Sequence, residues 1–167
     1  MTHELIAVYP GTFDPITLGH EDIVRRSALL FGRVIVAVAA GHHKKTLFSL
    51  PQRMAMARQA VLPYPGVTVE SFDGLLRDFV LARGIQAMVR GVRAVTDFDY
   101  EFQLAGMNRS LMPEVETIFL APGDQYQFIS STLVREIATL GGPVDKFVSP
   151  GVHQCLLQKL RDPAQAV

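Results

Sequence analysis

Five short apolar runs, residues 5–9, 34–39, 67–71, 85–89 and 115–120, recur along the chain and are rich in β-branched side chains. Near-continuous rather than alternating hydrophobicity belongs to strands buried on both faces of a parallel sheet. Segments of helical spacing lie between them. They are Ile23, Val24, Ser27, Leu30 and Phe31, then Met54, Ala57 and Val61, then Leu75, Leu76, Phe79 and Val80, then Phe98, Phe102 and Ala105. Strands alternating with helices predict an α/β chain: a Rossmann-like, doubly wound five-stranded parallel sheet. Leu133, Val134, Ile137 and Leu140 lead through Gly141-Gly142-Pro143 to Val152, Cys155, Leu156 and Leu160. This second pair of stripes predicts a helical C-terminal segment packed back on the sheet.

Composition narrows the class. Lys and Arg total 16 against 16 Asp and Glu, so the chain has no net field to draw it to nucleic acid or to a membrane surface. Hydrophobic residues make up 49% and charged residues 19%, enough apolar surface for a substantial core. Residues 1–167, without internal repeat or long Ser/Pro linker, are expected to form a single domain. With one cysteine, Cys155, no intramolecular disulfide is possible. No apolar stretch approaches the roughly 20 residues of a membrane helix, and no secretory leader precedes the first run. The expected compartment is the cytoplasm.

In open parallel sheets, ligands bind beyond the carboxyl ends of the strands, where helix N-termini favour anions. The first such loop reads Tyr9-Pro10-Gly11-Thr12-Phe13-Asp14-Pro15-Ile16-Thr17-Leu18-Gly19-His20. Its glycines permit close backbone approach. His20 falls at a helix start, where imidazole can donate to a phosphate oxygen, and Thr12 offers a second donor. A plain turn capped by His20 accounts for the same residues. The loops after strands two and four carry Gly41-His42-His43-Lys44-Lys45-Thr46 and Arg90-Gly91-Val92-Arg93. Two basic clusters at one sheet edge of a neutral chain point to a polyanion. After strand five, Ser130-Ser131-Thr132 open an amphipathic helix; one hydroxyl is expected to be the N-cap, leaving the others for a ligand.

Several chemistries are disfavoured. Lys44-Lys45-Thr46 lacks the glycine that precedes the Lys-Ser/Thr pair of a P-loop, and no G-x-G-x-x-G follows the first strand. There is no G-x-S-x-G elbow or Cys-x-x-Cys, so covalent catalysis has no candidate nucleophile. A protein-bound metal is not expected: Asp97 and Asp99 lie about 200° apart on a helix, and adjacent His42 and His43 lack zinc-ligand spacing. Asp97 and Asp99 read as structural, favoured by the helix dipole.

Thr17-Leu18-Gly19-His20 fits the T/H-x-G-H signature of the nucleotidyltransferase superfamily, and the whole loop from Tyr9 to His20 resembles that of the bacterial phosphopantetheine adenylyltransferases. The block 90–109, from Arg90-Gly91-Val92-Arg93 to Met107-Asn108-Arg109, and the stretch Ile129-Ser130-Ser131-Thr132-Leu133-Val134-Arg135-Glu136 are similar to two further motifs of that family. The resemblance covers nearly the whole chain. It implies transfer of AMP from ATP to 4′-phosphopantetheine, giving dephospho-coenzyme A and pyrophosphate without a covalent intermediate.

By resemblance, Thr12, Lys44 and Arg90 hold the phosphate end of phosphopantetheine, and Leu76 contacts its arm. Thr12, Phe13, His20, Gly91, Val92, Arg93, Glu101 and the stretch Tyr126, Gln127, Phe128, Ile129, Ser130, Ser131 and Thr132 contact ATP. Tyr126 stands where relatives often carry Trp and keeps a flat aromatic. His20, Thr12, Lys44 and Arg93 are the expected catalytic groups, and Mg²⁺ arrives mainly on ATP. The resemblance also implies a homohexamer and feedback inhibition by coenzyme A. Two other readings compete: a nucleotidyltransferase acting on a different phosphorylated acceptor, and a nucleotide-binding regulatory module without turnover.

Overall fold

The computed structural model describes residues 4–41 and 45–161. Five parallel strands alternate with helices. They are β1 (Ile6–Gly11), α1 (Leu18–Leu30), β2 (Arg33–Ala39), α2 (Leu50–Val61), β3 (Val67–Phe72), α3 (Leu76–Ala82), β4 (Ala87–Gly91), α4 (Val95–Leu111), β5 (Glu116–Leu120), α5 (Ser131–Thr139) and α6 (Pro150–Arg161). A 3₁₀ turn, Asp124–Tyr126, precedes α5. The spatial order β3-β2-β1-β4-β5 makes the sheet doubly wound, as the alternating runs predict. The fourth strand starts later than its apolar run, at Ala87, because the Ile85 amide is still tied to the Val80 carbonyl at the end of α3.

The period-two alternation of the strands divides the core between the two faces. Ala7, Val34, Val36, Val38 and Val89 face α1, α2, α5 and α6, where Ile23, Val24, Ala57, Val134, Val152 and Leu156 close over them. Val8, Ile35, Ala37 and Met88 face the other way, onto Phe79 and Val80 of α3 and onto Met112 and Val115. The C-terminal helices therefore pack back on the sheet as expected. Each fully buried valine or isoleucine contributes about 1.5–3 kcal/mol of transfer free energy.

Not every predicted stripe is buried. Leu30, Leu133 and Leu140 are exposed, and on α4 Phe98 and Phe102 are exposed while Glu101 alone is buried. Phe98 stacks on Phe102 with ring centroids 5.7 Å apart and meets Phe119 of β5 edge-on at 5.5 Å. On this helix only Glu101 is buried, Phe98 leans on β5, and Phe102 stays largely exposed.

Helix starts converge on one end of the sheet. Thr17 caps α1, accepting from the His20 amide, while the Thr17 amide donates to His20 Nδ1 at 3.0 Å, which closes a capping box. Ser49 and Gln52 form the same device at α2. Ser130 caps α5, accepting from Leu133 N–H at 3.1 Å. Among the described residues no helix is long and apolar enough to cross a membrane.

Candidate active site

The order of strands reverses between β1 and β4, and the ladder between them stops at Val8–Met88, well short of Gly11 and Gly91. A cleft of about 260 Å³ opens beyond that point, at the switch point where doubly wound sheets take ligands. Its walls come from the end of β1 (Pro10, Gly11, Phe13), the start of α1 (Gly19, His20), the end of β4 (Arg90, Gly91, Arg93), α4 (Asp97, Glu101) and the start of α5 (Ile129, Ser130, Ser131). Gly91 keeps the wall thin: a Cβ there would meet Ile23 at 3.4 Å and the Tyr9 hydroxyl at 3.7 Å, and a longer side chain would fill the cleft.

His20 lies at the base. The Thr17 amide can only donate, so Nδ1 accepts and the proton of the neutral ring sits on Nε2, which has no partner among the described residues. Burial, and secondarily the charge of Arg93, pull the imidazole pKa down to about 4. The unliganded protein thus presents a neutral ring with one N–H to spare. Phe13 packs edge-on against that ring at 5.1 Å and against Tyr9 at 5.4 Å. Its backbone sits at φ 50°, a conformation that costs a non-glycine residue of order 1 kcal/mol or more and is held by this packing. Burial raises the Tyr9 phenol well above its ordinary range, so it remains a neutral wall.

The arginines are held rather than loose. Arg90 spans the gap between the strands, donating from Nε and Nη2 to the two oxygens of Glu101 at 2.7 and 2.8 Å, and from Nη1 to the Pro10 carbonyl at 3.2 Å. Arg93 donates to Asp97 at 3.0 Å and to the Ile129 carbonyl at 2.8 Å. Charge-assisted bonds of this kind fix orientation. Three helix N-termini add positive dipole ends to the same cleft, so the whole is suited to a polyphosphate.

Among the residues expected from sequence, Phe13, His20, Arg90, Gly91, Arg93, Glu101, Ile129, Ser130 and Ser131 line this one cleft. Others stand off it. Thr12 lies between two lining residues, with its carbonyl taken by Arg53. Val92 is tied through its amide to the Leu120 carbonyl. Tyr126 packs on the main core, Gln127 bonds Asp124, and exposed Phe128 meets Phe147 edge-on. Leu76 is half-buried against the α3 core. Lys44, with His42 and His43, lies outside the described residues.

The hydroxyls of the serine loop are less free than expected: Ser130 caps its helix, Ser131 donates to the Pro15 carbonyl at 2.8 Å, and Thr132 accepts from Arg135. Asp97 is structural in that it anchors Arg93, and it also lines the cleft.

Three buried charged residues that frame the site escaped sequence reasoning. Asp14 accepts from the amides of Leu47 and Phe48 at 2.8 and 2.9 Å. Asp22 accepts from the Gly123 amide and from Arg25 and Arg26. Arg53 is buried beneath the loops. The available signal was a charge on an otherwise apolar helix face, between Leu50, Met54 and Ala57 for Arg53 and beside Ile23 for Asp22.

This architecture, with its cleft at the switch point and its T/H-x-G-H loop, defines a nucleotidyltransferase. Residues 8–137 match the cytidylyltransferase-like family model. The chain is 71% identical over 166 residues to the phosphopantetheine adenylyltransferase of Acidovorax ebreus, covering 99% of this chain and all of that protein. It is 58% identical over 157 residues to that of Aromatoleum aromaticum, covering 94% and 96% of the two chains. The fold also resembles a bifunctional NMN adenylyltransferase/ADP ribose pyrophosphatase from Francisella tularensis, with a TM-score of 0.73 at 16% identity, over 95% of this chain and 50% of that one. The chain belongs to the phosphopantetheine adenylyltransferase family, within the cytidylyltransferase-like class.

Proposed function

We propose that the chain catalyses adenylyl transfer from ATP to 4′-phosphopantetheine, giving dephospho-coenzyme A and pyrophosphate, in the cytoplasm. The observation that carries this is near-full-length identity, at 71%, to proteins named for that activity, in a chain whose cleft combines a histidine N–H, two arginines and three helix N-termini. A phosphate oxygen of phosphopantetheine attacks the α-phosphorus of ATP in line as the bond to the pyrophosphate oxygen breaks. A phosphate dianion is already a competent nucleophile, so the protein contributes positioning and charge stabilisation.

His20 donates Nε2–H to the oxygen on which charge builds at the α-phosphate, and Thr12 supplies a second donor. Lys44 and Arg90 hold the attacking phosphate, while Arg93 faces the leaving phosphates. The nucleotide lies over Phe13, Gly91 and Val92 towards Glu101 and the stretch from Tyr126 to Thr132, and Leu76 meets the pantetheine arm. ATP enters as its Mg²⁺ complex. The two carboxylates lining the cleft, Asp97 and Glu101, are both paired with arginine, which supports a metal carried by the triphosphate rather than by side chains.

A homohexamer is the assembly proposed, supported by the outward aromatics of α4, where Phe102 and Met107 are 63% and 66% exposed. Coenzyme A, which shares the pantetheine arm with the acceptor, is the proposed feedback ligand.

The test is pyrophosphate release from ATP and Mg²⁺ with 4′-phosphopantetheine, beside nicotinamide mononucleotide, glycerol phosphate and no acceptor. Release with phosphopantetheine alone supports the assignment. Release with another acceptor overturns the acceptor, and ATP binding without release under any condition overturns the activity.

A further inference from the structure

Among the described residues Arg53 is the most buried charged residue, at 1% exposure, yet none of its hydrogen bonds there goes to a carboxylate. Four N–H donors reach four main-chain carbonyls: Nε to Phe48 at 3.2 Å, Nη1 to Thr12 at 2.8 Å and to Ala39 at 2.7 Å, and Nη2 to Ala40 at 3.1 Å. Taking a guanidinium out of water is expensive; the nearby Asp14 carboxylate offsets part of that cost without a direct hydrogen bond. For α2 alone it is also unnecessary, since the Ser49–Gln52 capping box already completes that helix start. What the arrangement achieves lies elsewhere. The carbonyls belong to the loop after β1 and to both ends of the loop between β2 and α2.

Asp14 bonds the same two loops from the other side, through the amides of Leu47 and Phe48. Asp14 is in turn gripped from α5, where Arg135 donates to its carbonyl at 2.6 Å. The main chain of Phe48 is thus held at both its N–H and its C=O, by residues on different elements. Only a planar fork with divergent donors can meet four carbonyls at once; an ammonium has three donors on a single nitrogen.

We infer that Arg53 is a positioning residue for adenylyl transfer, fixing the loop after β1 against Ala39, Ala40 and Phe48 and so the spacing between the reacting phosphates. This rests on the proposed function, because it takes the first loop to serve the α-phosphate and the second the acceptor. A misplacement of about 1 Å between reacting groups costs on the order of 100-fold in rate, so a clamp at this junction acts on turnover without touching substrate.

The experiment compares the wild-type protein with Arg53→Lys and Asp14→Asn. It measures kcat and both KM values, direct ATP affinity, thermal midpoint, and hydrogen exchange at the amides of Leu47, Phe48 and Ser49. The inference predicts that Arg53→Lys, still folded, loses at least 10-fold in kcat over KM for phosphopantetheine while ATP affinity changes less than 3-fold, with faster exchange at those amides. Asp14→Asn should move the same quantities in the same direction, and it carries the test if Arg53→Lys does not fold. Unchanged exchange and kinetics in a folded variant would overturn the inference. So would a loss shared equally by ATP affinity and acceptor kinetics, which marks general destabilisation. The exchange measurement needs no substrate, so it decides on the clamp even if the wild-type protein proves inactive and the functional reading falls.

Discussion

Glu101 Oε1 and Oε2 accept from Nη2 and Nε of Arg90 at 2.8 and 2.7 Å, joining the one buried residue of α4 to the end of β4. The pair fixes the arginine at the cleft and partly offsets its charge, so the guanidinium proposed to meet the acceptor phosphate has its place already set.

Glu101→Ala should therefore lower stability by roughly 3 kcal/mol, the cost of stranding one partner of a buried ion pair, and raise the KM for phosphopantetheine. Arg90→Ala should raise that KM by more, with the KM for ATP less affected. Steady-state kinetics with each substrate varied in turn check the split; a larger effect on ATP would place Arg90 on the nucleotide.

His20 should remain neutral in the unliganded protein well below the ordinary histidine range, because its pKa is pulled down to about 4 by burial and then by Arg93. Its ring ¹⁵N signals should show an unprotonated Nδ1 and a protonated Nε2, unchanged between pH 8 and pH 5.5. Linkage sets the sign of the stability effect. The unfolded chain takes up a proton near 6.5 and the folded one only near 4, so this residue makes stability fall as pH drops from 6.5 to 4. A ring that titrates near 6.5 would contradict the buried geometry.

Ser130→Ala should cost about 1 kcal/mol through loss of the α5 N-cap, with a further effect on ATP affinity because Ser130 lines the cleft. Denaturant unfolding beside ATP titration separates the two. A loss of stability with ATP affinity intact would restrict Ser130 to the cap.

If α4 forms the proposed interface, Phe102→Glu should leave the fold intact while splitting the assembly, because Phe102 lies largely exposed outside the core. Sedimentation velocity reads this directly; a monomeric wild type, or an unchanged particle size in the variant, would remove α4 from the interface.

The fold was legible because the central strands β1, β2 and β4 are buried on both faces and so write continuous apolar runs, and because Gly and Pro punctuate the turns. The cleft loops were legible as motifs because glycines, cations and a helix-start histidine gather at the strand ends, the residue types a phosphate site uses. Arg53 and Asp14 were not legible as a clamp, since their hydrogen-bond partners in the distant loop are main-chain groups, which leave no mark in the sequence; for Asp22 the hidden partner is the Gly123 amide, while Arg25 and Arg26 lie one turn away. Phe98 and Phe102 show the converse limit. Helical periodicity records an apolar face but not whether it meets the core or another surface, and here the stripe points outward.

The most direct test forms dephospho-coenzyme A with the wild-type protein and with His20→Ala side by side, at saturating ATP and phosphopantetheine. Loss of a single donor to the developing charge typically costs about 10²- to 10³-fold in turnover. The account predicts a fall of that size in kcat with the KM for ATP little changed. A variant that keeps near-normal kcat would contradict it, because it would show that the Nε2–H does not stabilise the developing charge.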